Sequence, residues 1–415
     1  MMNDNNLESI HEKFARLICE VGLNLQPEQK LFIWANQLEL APLVQQIVKR
    51  AYQNGSRLVS VLWNDEGLVR TRFDHAPRDS FAEFPAWKTD ARFKAIEQGD
   101  AVLWIGGDDP DLLSGYDSEL ISTAGRTYAT HVKPILEKIA TNAVQWLVVC
   151  PPTKAWAKAV FPHLSAGEAE LSLWKAVNKA CRLDDASPEN SWKENLDELA
   201  NRGAYLTAKG YDALRLKGSG TDLLVGLPQG HIWIGGWDMT PGGVRFCANI
   251  PTEEVFTLPH RERVEGTVRA TRPLSFRGNL IEDFQLTFKK GKVVEISAGT
   301  GEEALKGLLE TGPNASYLGE VALVPHQSPI SRQELVFLNT LYDENASNHL
   351  ALGNAYRVSL EGGSEMSEEE FMAAGGNESL VHVDFMFGSG EMDVDGVMAD
   401  GRSEPVMRAG EWAFD

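Results

Sequence analysis

Over the first half of the chain, short and continuously apolar runs alternate with longer amphipathic segments. L-F-I-W-A (31–35), L-V-S-V-L-W (58–63), A-V-L-W-I (101–105) and V-Q-W-L-V-V (144–149) read as strands. The segments between them predict helices over 10–21, 40–52, 87–98 and 119–139. Pro42 stands near the start of the second helix, where a missing N–H is tolerated, and Asn54-Gly55 ends it. Strands that are apolar on both faces and joined by helices build a parallel sheet covered on both sides. Residues 164–202 read as further helix interrupted by a polar, acid-rich stretch. The boundary then falls between 185 and 210, giving an N-terminal α/β domain over 1–195 and a second domain over 196–415.

From about residue 211 the texture changes to short strand-like runs divided by Gly and Pro. F-Q-L-T-F-K-K-G-K-V-V-E-I-S-A has the alternation and central Lys-Gly of a hairpin. G-E-E-A-L-K-G-L-L-E-T reads as a short helix, and Ser367 with Glu370 forms a capping box for another that stops at Gly375. The expected fold class is therefore α/β plus α+β: a parallel-sheet N-terminal domain and a strand-rich, mixed C-terminal one that carries the chemistry. In L-V-H-V-D-F-M-F a strand would set His382 and Asp384 on one face and Val381, Val383 and Phe385 on the other. His349 and Tyr356 lie seven residues apart, which predicts two turns of one helix with both on a common face. Charged groups inside such apolar surroundings are costly to bury unless something binds them, and a divalent metal would do so.

The formal net charge of −20 excludes a nucleic-acid or anionic-membrane binder, both of which need a basic surface. No apolar run reaches the ~20 residues of a membrane span, and the polar, acidic start shows no signal core, so a cytoplasmic protein is expected. Cys19, Cys150, Cys181 and Cys247 are scattered and read as core thiols. Neither G-x-G-x-x-G at a helix start nor G-x-x-x-x-G-K-[ST] occurs, and G-G-D-D-P (Gly106–Pro110) reads as a turn. His11-Glu12 lacks the second histidine of a zincin helix, and no G-x-S-x-G elbow is present.

Carboxylates flank the candidate donors: Glu253 and Glu254 before Val255-Phe256, Glu265 beside Gly266, and Glu320 ahead of an apolar strand. The stretches N-I-P-T-E-E-V-F-T, V-E-G-T-V, L-G-E-V-A-L-V-P, D-E-N-A-S-N-H-L-A-L-G-N-A-Y and H-V-D-F-M-F-G-S run in this order over residues 249–396 together with M-D-V-D-G. Through them the chain resembles the M29 family of metallo-aminopeptidases. The resemblance implies two divalent ions per subunit (Zn, Co, Mn or Mg) held by Glu254, Glu320, His349, His382 and Asp384, with Tyr356 as a further ligand or close stabiliser. It implies removal of the N-terminal residue from short peptides by a metal-activated water, with Glu320 and Tyr356 catalytic and Glu320, Glu253 or Glu265 as the general base. It also implies a homodimer. The rival reading is a non-enzymatic metal- or partner-binding α/β protein, which leaves His349, His382 and Asp384 without a reason for their positions.

Overall fold

The structure is a computed structural model that describes residues 4–107, 109–276 and 279–414. Asp108, inside the predicted Gly106–Pro110 turn, lies outside the described residues. The chain divides into two compact units. The first takes the chain up to Glu194 together with Trp237–Pro251, and the second takes Asn195–Gly236 and everything from Thr252 onward.

The first unit is built on a five-stranded parallel sheet in the order Asn249–Ile250, Trp146–Val149, Ala101–Ile105, Leu31–Ala35, Val59–Trp63. All five residues of Leu31–Ala35 are buried, as a central strand with both faces covered requires. The helix Ala41–Gln53 starts with its proline in the first turn, and Gly55 follows it at φ +89°. Asp4–Leu17 packs on that helix and closes in a π-type turn, Ile18–Gly22. The four cysteines are buried and free.

The second unit has two antiparallel sheets. An eight-stranded one runs, in spatial order, from Lys292–Ser297 through Gln285–Lys289, Val264–Arg269, Thr221–Gly226, Ala213–Gly218, Asp393–Val397 and Ser403–Arg408 to Glu411–Trp412. Its Gln285–Lys289/Lys292–Ser297 hairpin turns on Lys290 (φ +50°) and Gly291 (φ +77°), the pair of positive φ values that a two-residue turn between twisted strands demands. The Ser367–Glu370 capping box is formed and starts the helix Glu368–Ala373. The second sheet runs His382–Met386, His349–Gly353, Leu318–Leu323, Val255–Thr257, Ile234–Gly235. One shared core takes Leu214, Leu223 and Leu286 from the larger sheet and Val321, Leu350, Leu352 and Phe385 from the smaller.

Candidate metal centre

The five-stranded sheet sorts its residues by parity. Along His349–Gly353, Leu350 and Leu352 point into the core, which leaves His349, Ala351 and Gly353 on the opposite face. Cross-strand register then sets the chemistry: Glu320 lies opposite Ala351, Ala351 opposite Asp384, and Gly353 opposite His382. The middle strand thus offers only a methyl group and a hydrogen between the flanking carboxylates and imidazole. The strand corrects the helix expected to carry both His349 and Tyr356. The period of two in H-L-A-L-G, driven by burial of both leucines, outweighs the seven-residue spacing, and Tyr356 follows in a non-helical segment.

Two groups of donor atoms, each within 4.8 Å of one another, result: Glu254, Glu320 and His349, and Glu320, His382 and Asp384. Glu320 belongs to both. Its Oε1 is 3.4 Å from His349 Nε2 and its Oε2 is 3.7 Å from His382 Nε2. Glu254 Oε2 lies 2.9 Å from His349 Nε2, and Asp384 Oδ1 lies 3.3 Å from His382 Nε2. His349 Nδ1 sits 3.1 Å from the Ser347 carbonyl and His382 Nδ1 2.7 Å from that of Asn354. A carbonyl only accepts, so both rings carry a proton on Nδ1 and turn Nε2 inward, the orientation typical of metal-binding histidines. Glu254 Oε2 and Asp384 Oδ1 are buried, yet neither has an aligned hydrogen-bond donor despite its short approach to an imidazole. A proton or a cation must lie between these facing lone pairs. Clustered carboxylate and imidazole donors of this kind suit Zn²⁺, Co²⁺ or Mn²⁺, and the residues fit a metal site.

The electrostatics agree. Burial pushes the Glu320 carboxyl above its ordinary range, against the pull of His349 and His382. Burial alone would lower both histidines. The neighbouring carboxylates of Glu254 and Glu320 nevertheless hold His349 well above its usual value, and Asp384 and Glu320 hold His382 at about 9. Burial opposes ionisation of Asp384, but His382 draws it below the usual carboxylate value. The cluster retains protons that a dication would displace.

Tyr356, 39% exposed, packs its ring 4.8 Å from that of His382 and 5.8 Å from that of Phe256. Burial of its hydroxyl end, then the charges of Glu320, Asp384, Glu344 and Glu254, keep it protonated well beyond the ordinary tyrosine range. Of two further carboxylates expected near the site, Glu265 lies elsewhere and accepts from the Lys290 N–H on the eight-stranded sheet, whereas Glu253 is buried next to Glu254, donates its backbone N–H to Asn345 Oδ1 and acts by its charge on Arg202. The sequence reading missed Glu344. Burial, then Asp384 and Glu254, push its carboxyl well above the ordinary range, and Asn345 Nδ2 lies 3.4 Å from its Oε1. It sits on a single 3₁₀ turn, Glu344–Ala346, where no periodicity marks an inward side chain. The only signal was an acidic pair, Asp343-Glu344, directly before the buried Asn345.

A sequence profile of the thermophilic metalloprotease (M29) family matches residues 7–412. Aminopeptidase 2 of Geobacillus stearothermophilus is 47% identical over 411 residues, 99% of each chain. Aminopeptidase T of Thermus thermophilus is 46% identical over 402 residues, covering 97% of this chain and 98% of its own. The solved structure of wild-type AmpT from Thermus thermophilus superposes with a TM-score of 0.93 at 44% identity, covering 98% of this chain and 100% of that one. With profile, relatives and fold agreeing over nearly every residue, the chain belongs to the thermophilic metalloprotease (M29) family and is a hydrolase of peptide bonds.

Proposed function

We propose that this protein is a metal-dependent aminopeptidase that removes the N-terminal residue of short peptides at a dinuclear centre. The observation that carries the reading is Glu320, whose two oxygens each face a different imidazole and which is common to both donor groups. Glu254 and His349 would complete one metal position, His382 and Asp384 the other, with Glu320 bridging and Glu344 as a further carboxylate of the same cluster. When bound, such a pair supplies an activated water and polarises the scissile carbonyl. The chain's own groups do the rest. The Tyr356 hydroxyl, held protonated, donates to the oxygen on which charge develops and stands as stabiliser or further ligand. Glu320, Glu344 and Glu253 are the carboxylates available to take a proton from the attacking water, since Glu265 accepts from the Lys290 N–H on the eight-stranded sheet. Their combined negative charge also attracts a substrate's free α-ammonium group, which favours cleavage at the first peptide bond.

The resemblance further supports a cytoplasmic homodimer. No helix among the described residues is long and apolar enough to cross a membrane. The test is release of p-nitroaniline from aminoacyl-p-nitroanilides by chelator-stripped protein, with Zn²⁺, Co²⁺, Mn²⁺ or Mg²⁺ restored and N-acetylated substrates as controls. Activity that returns with metal and vanishes on acetylation is expected. Silence with every metal, in folded protein, would favour the rival binding-protein reading.

A further inference from the structure

The helix Trp87–Glu97 buries Thr89, Arg92, Ala95 and Ile96 against the first unit's sheet, so an arginine occupies a position where an apolar residue belongs. Arg92 is 5% exposed. Its guanidinium lies 5.7 Å from the Trp34 ring centroid and 5.6 Å from that of Trp104. These two tryptophans are register partners on adjacent parallel strands, each one residue before its strand's end. Among the described residues no carboxylate pairs with Arg92, although the chain as a whole carries a net charge of −20. Arg92 Nε and Trp104 Nε1 are both buried without a hydrogen-bond partner. Stacking on two indoles offsets only part of the penalty for withdrawing a guanidinium from water.

The location matters as much as the missing counter-charge. From Leu31–Ala35 the chain proceeds to Val59–Trp63 on one side, and Ala101–Ile105 lies on the other. The direction of winding therefore reverses between the strands that carry Trp34 and Trp104. In open α/β sheets, ligands bind beyond the carboxyl ends of the strands at such a reversal. Lys88, one helical turn before Arg92 and on the same side of the helix, donates to Asn64 Oδ1 at 3.0 Å. Asn64 directly follows Val59–Trp63, and its N–H bonds the Ala35 carbonyl at 2.8 Å. A second cation thus stands toward the carboxyl end of the same sheet, and it too lacks an acidic partner among the described residues.

We propose that Arg92 and Lys88 form an anion site at this strand crossover, separate from the metal centre, that takes a small molecule through a carboxylate or phosphate group. An oxyanion supplies the counter-charge that Arg92 lacks and accepts from the guanidinium and the Lys88 ammonium. Trp34 and Trp104 report its arrival by fluorescence.

The experiment titrates full-length, metal-loaded protein with inorganic phosphate and, separately, with N-acetylalanine at constant ionic strength, following tryptophan emission. Arg92→Met and Lys88→Gln are run alongside. Arg92→Met keeps a core-compatible volume, and Lys88→Gln keeps a partner for Asn64. A saturable change with either probe, weakened about tenfold or more by Arg92→Met and several-fold by Lys88→Gln, is expected. The probe that binds identifies the group recognised. Binding that survives unchanged in both variants would belong to the metal centre and overturn the proposal, as would the absence of saturation with both probes. Should Arg92→Met fail to fold, an unchanged affinity in Lys88→Gln overturns it equally.

Discussion

Replacing Glu320 with glutamine removes one negative charge and nothing else of size, so it isolates what the shared carboxylate contributes. The His349 and His382 nitrogens that would flank the two proposed metal positions lie 3.4 and 3.7 Å from its oxygens. At an effective dielectric near 20, a unit negative charge acting on a dication at such distances is worth about 8 kcal/mol at either position. The amide oxygen can still coordinate, and repulsion among Glu254, Glu344 and Asp384 is relieved. Allowing half of that figure for these leaves about 4 kcal/mol, roughly a thousandfold in affinity. Calorimetric titration of chelator-stripped protein with Zn²⁺ should therefore show two equivalents for the wild type and no more than one tight equivalent for Glu320→Gln, with turnover lost. The stripped proteins should rank the other way. Burial raises the Glu320 carboxyl in the folded state, so its ionised form opposes folding at neutral pH, and the stripped variant should melt no lower than wild type. Two tight equivalents in the variant would refute the bridging argument. A stripped variant that melts well below wild type would refute the electrostatic one.

Tyr356→Phe should lower kcat about a hundredfold while metal content, measured by elemental analysis, stays at the wild-type value; loss of metal would instead make the hydroxyl a ligand. Gly353 sits at φ +107°, and a Cβ there would come 2.0 Å from the Val381 carbonyl oxygen, so Gly353→Ala should cost roughly 3 kcal/mol in urea unfolding and weaken metal binding by moving the Asn354 carbonyl off His382. Gly362→Ala is the control: at φ +69° with only Met366 Cε at 4.0 Å, it should lose about 1 kcal/mol. In chelator-stripped protein, His382 is held at about 9 against an unfolded value of ~6.5, so its contribution is fully present below ~6.5 and lost as pH rises through about 9. Thermal melts of stripped protein should therefore decline over that window by up to about 3 kcal/mol, and those of Zn²⁺-loaded protein should not; parallel profiles would sink the assignment.

The first unit's strands were legible from their apolar runs: Leu31–Ala35, Ala101–Ile105 and Trp146–Val149 are uninterrupted, and the edge strand Val59–Trp63, which has no buried residue, is broken only by Ser60. The fifth, Asn249–Ile250, is two residues long and follows an excursion through the second unit, so no pattern could announce it. His382 and Asp384 were legible for the opposite reason: polar residues at alternate positions of an apolar run have one reading as a strand. His349 was visible as a donor but not as a strand residue, because its strand is five residues long and two of those are alanine and glycine. Glu344 was hidden altogether, since a side chain on a single 3₁₀ turn is aimed by the fold around it and not by any local period.

The cross-strand register that sets Glu320, Ala351 and Asp384 in one row gives this enzyme a built-in proofreading of its own assembly. If His349–Gly353 slipped by a single residue, Leu350 and Leu352 would turn outward and His349 would enter the core. Such a misassembled chain would be inactive and adhesive at once, recognisable to chaperones by the leucines it displays. A count of metal equivalents per chain after refolding therefore doubles as a count of correctly paired molecules.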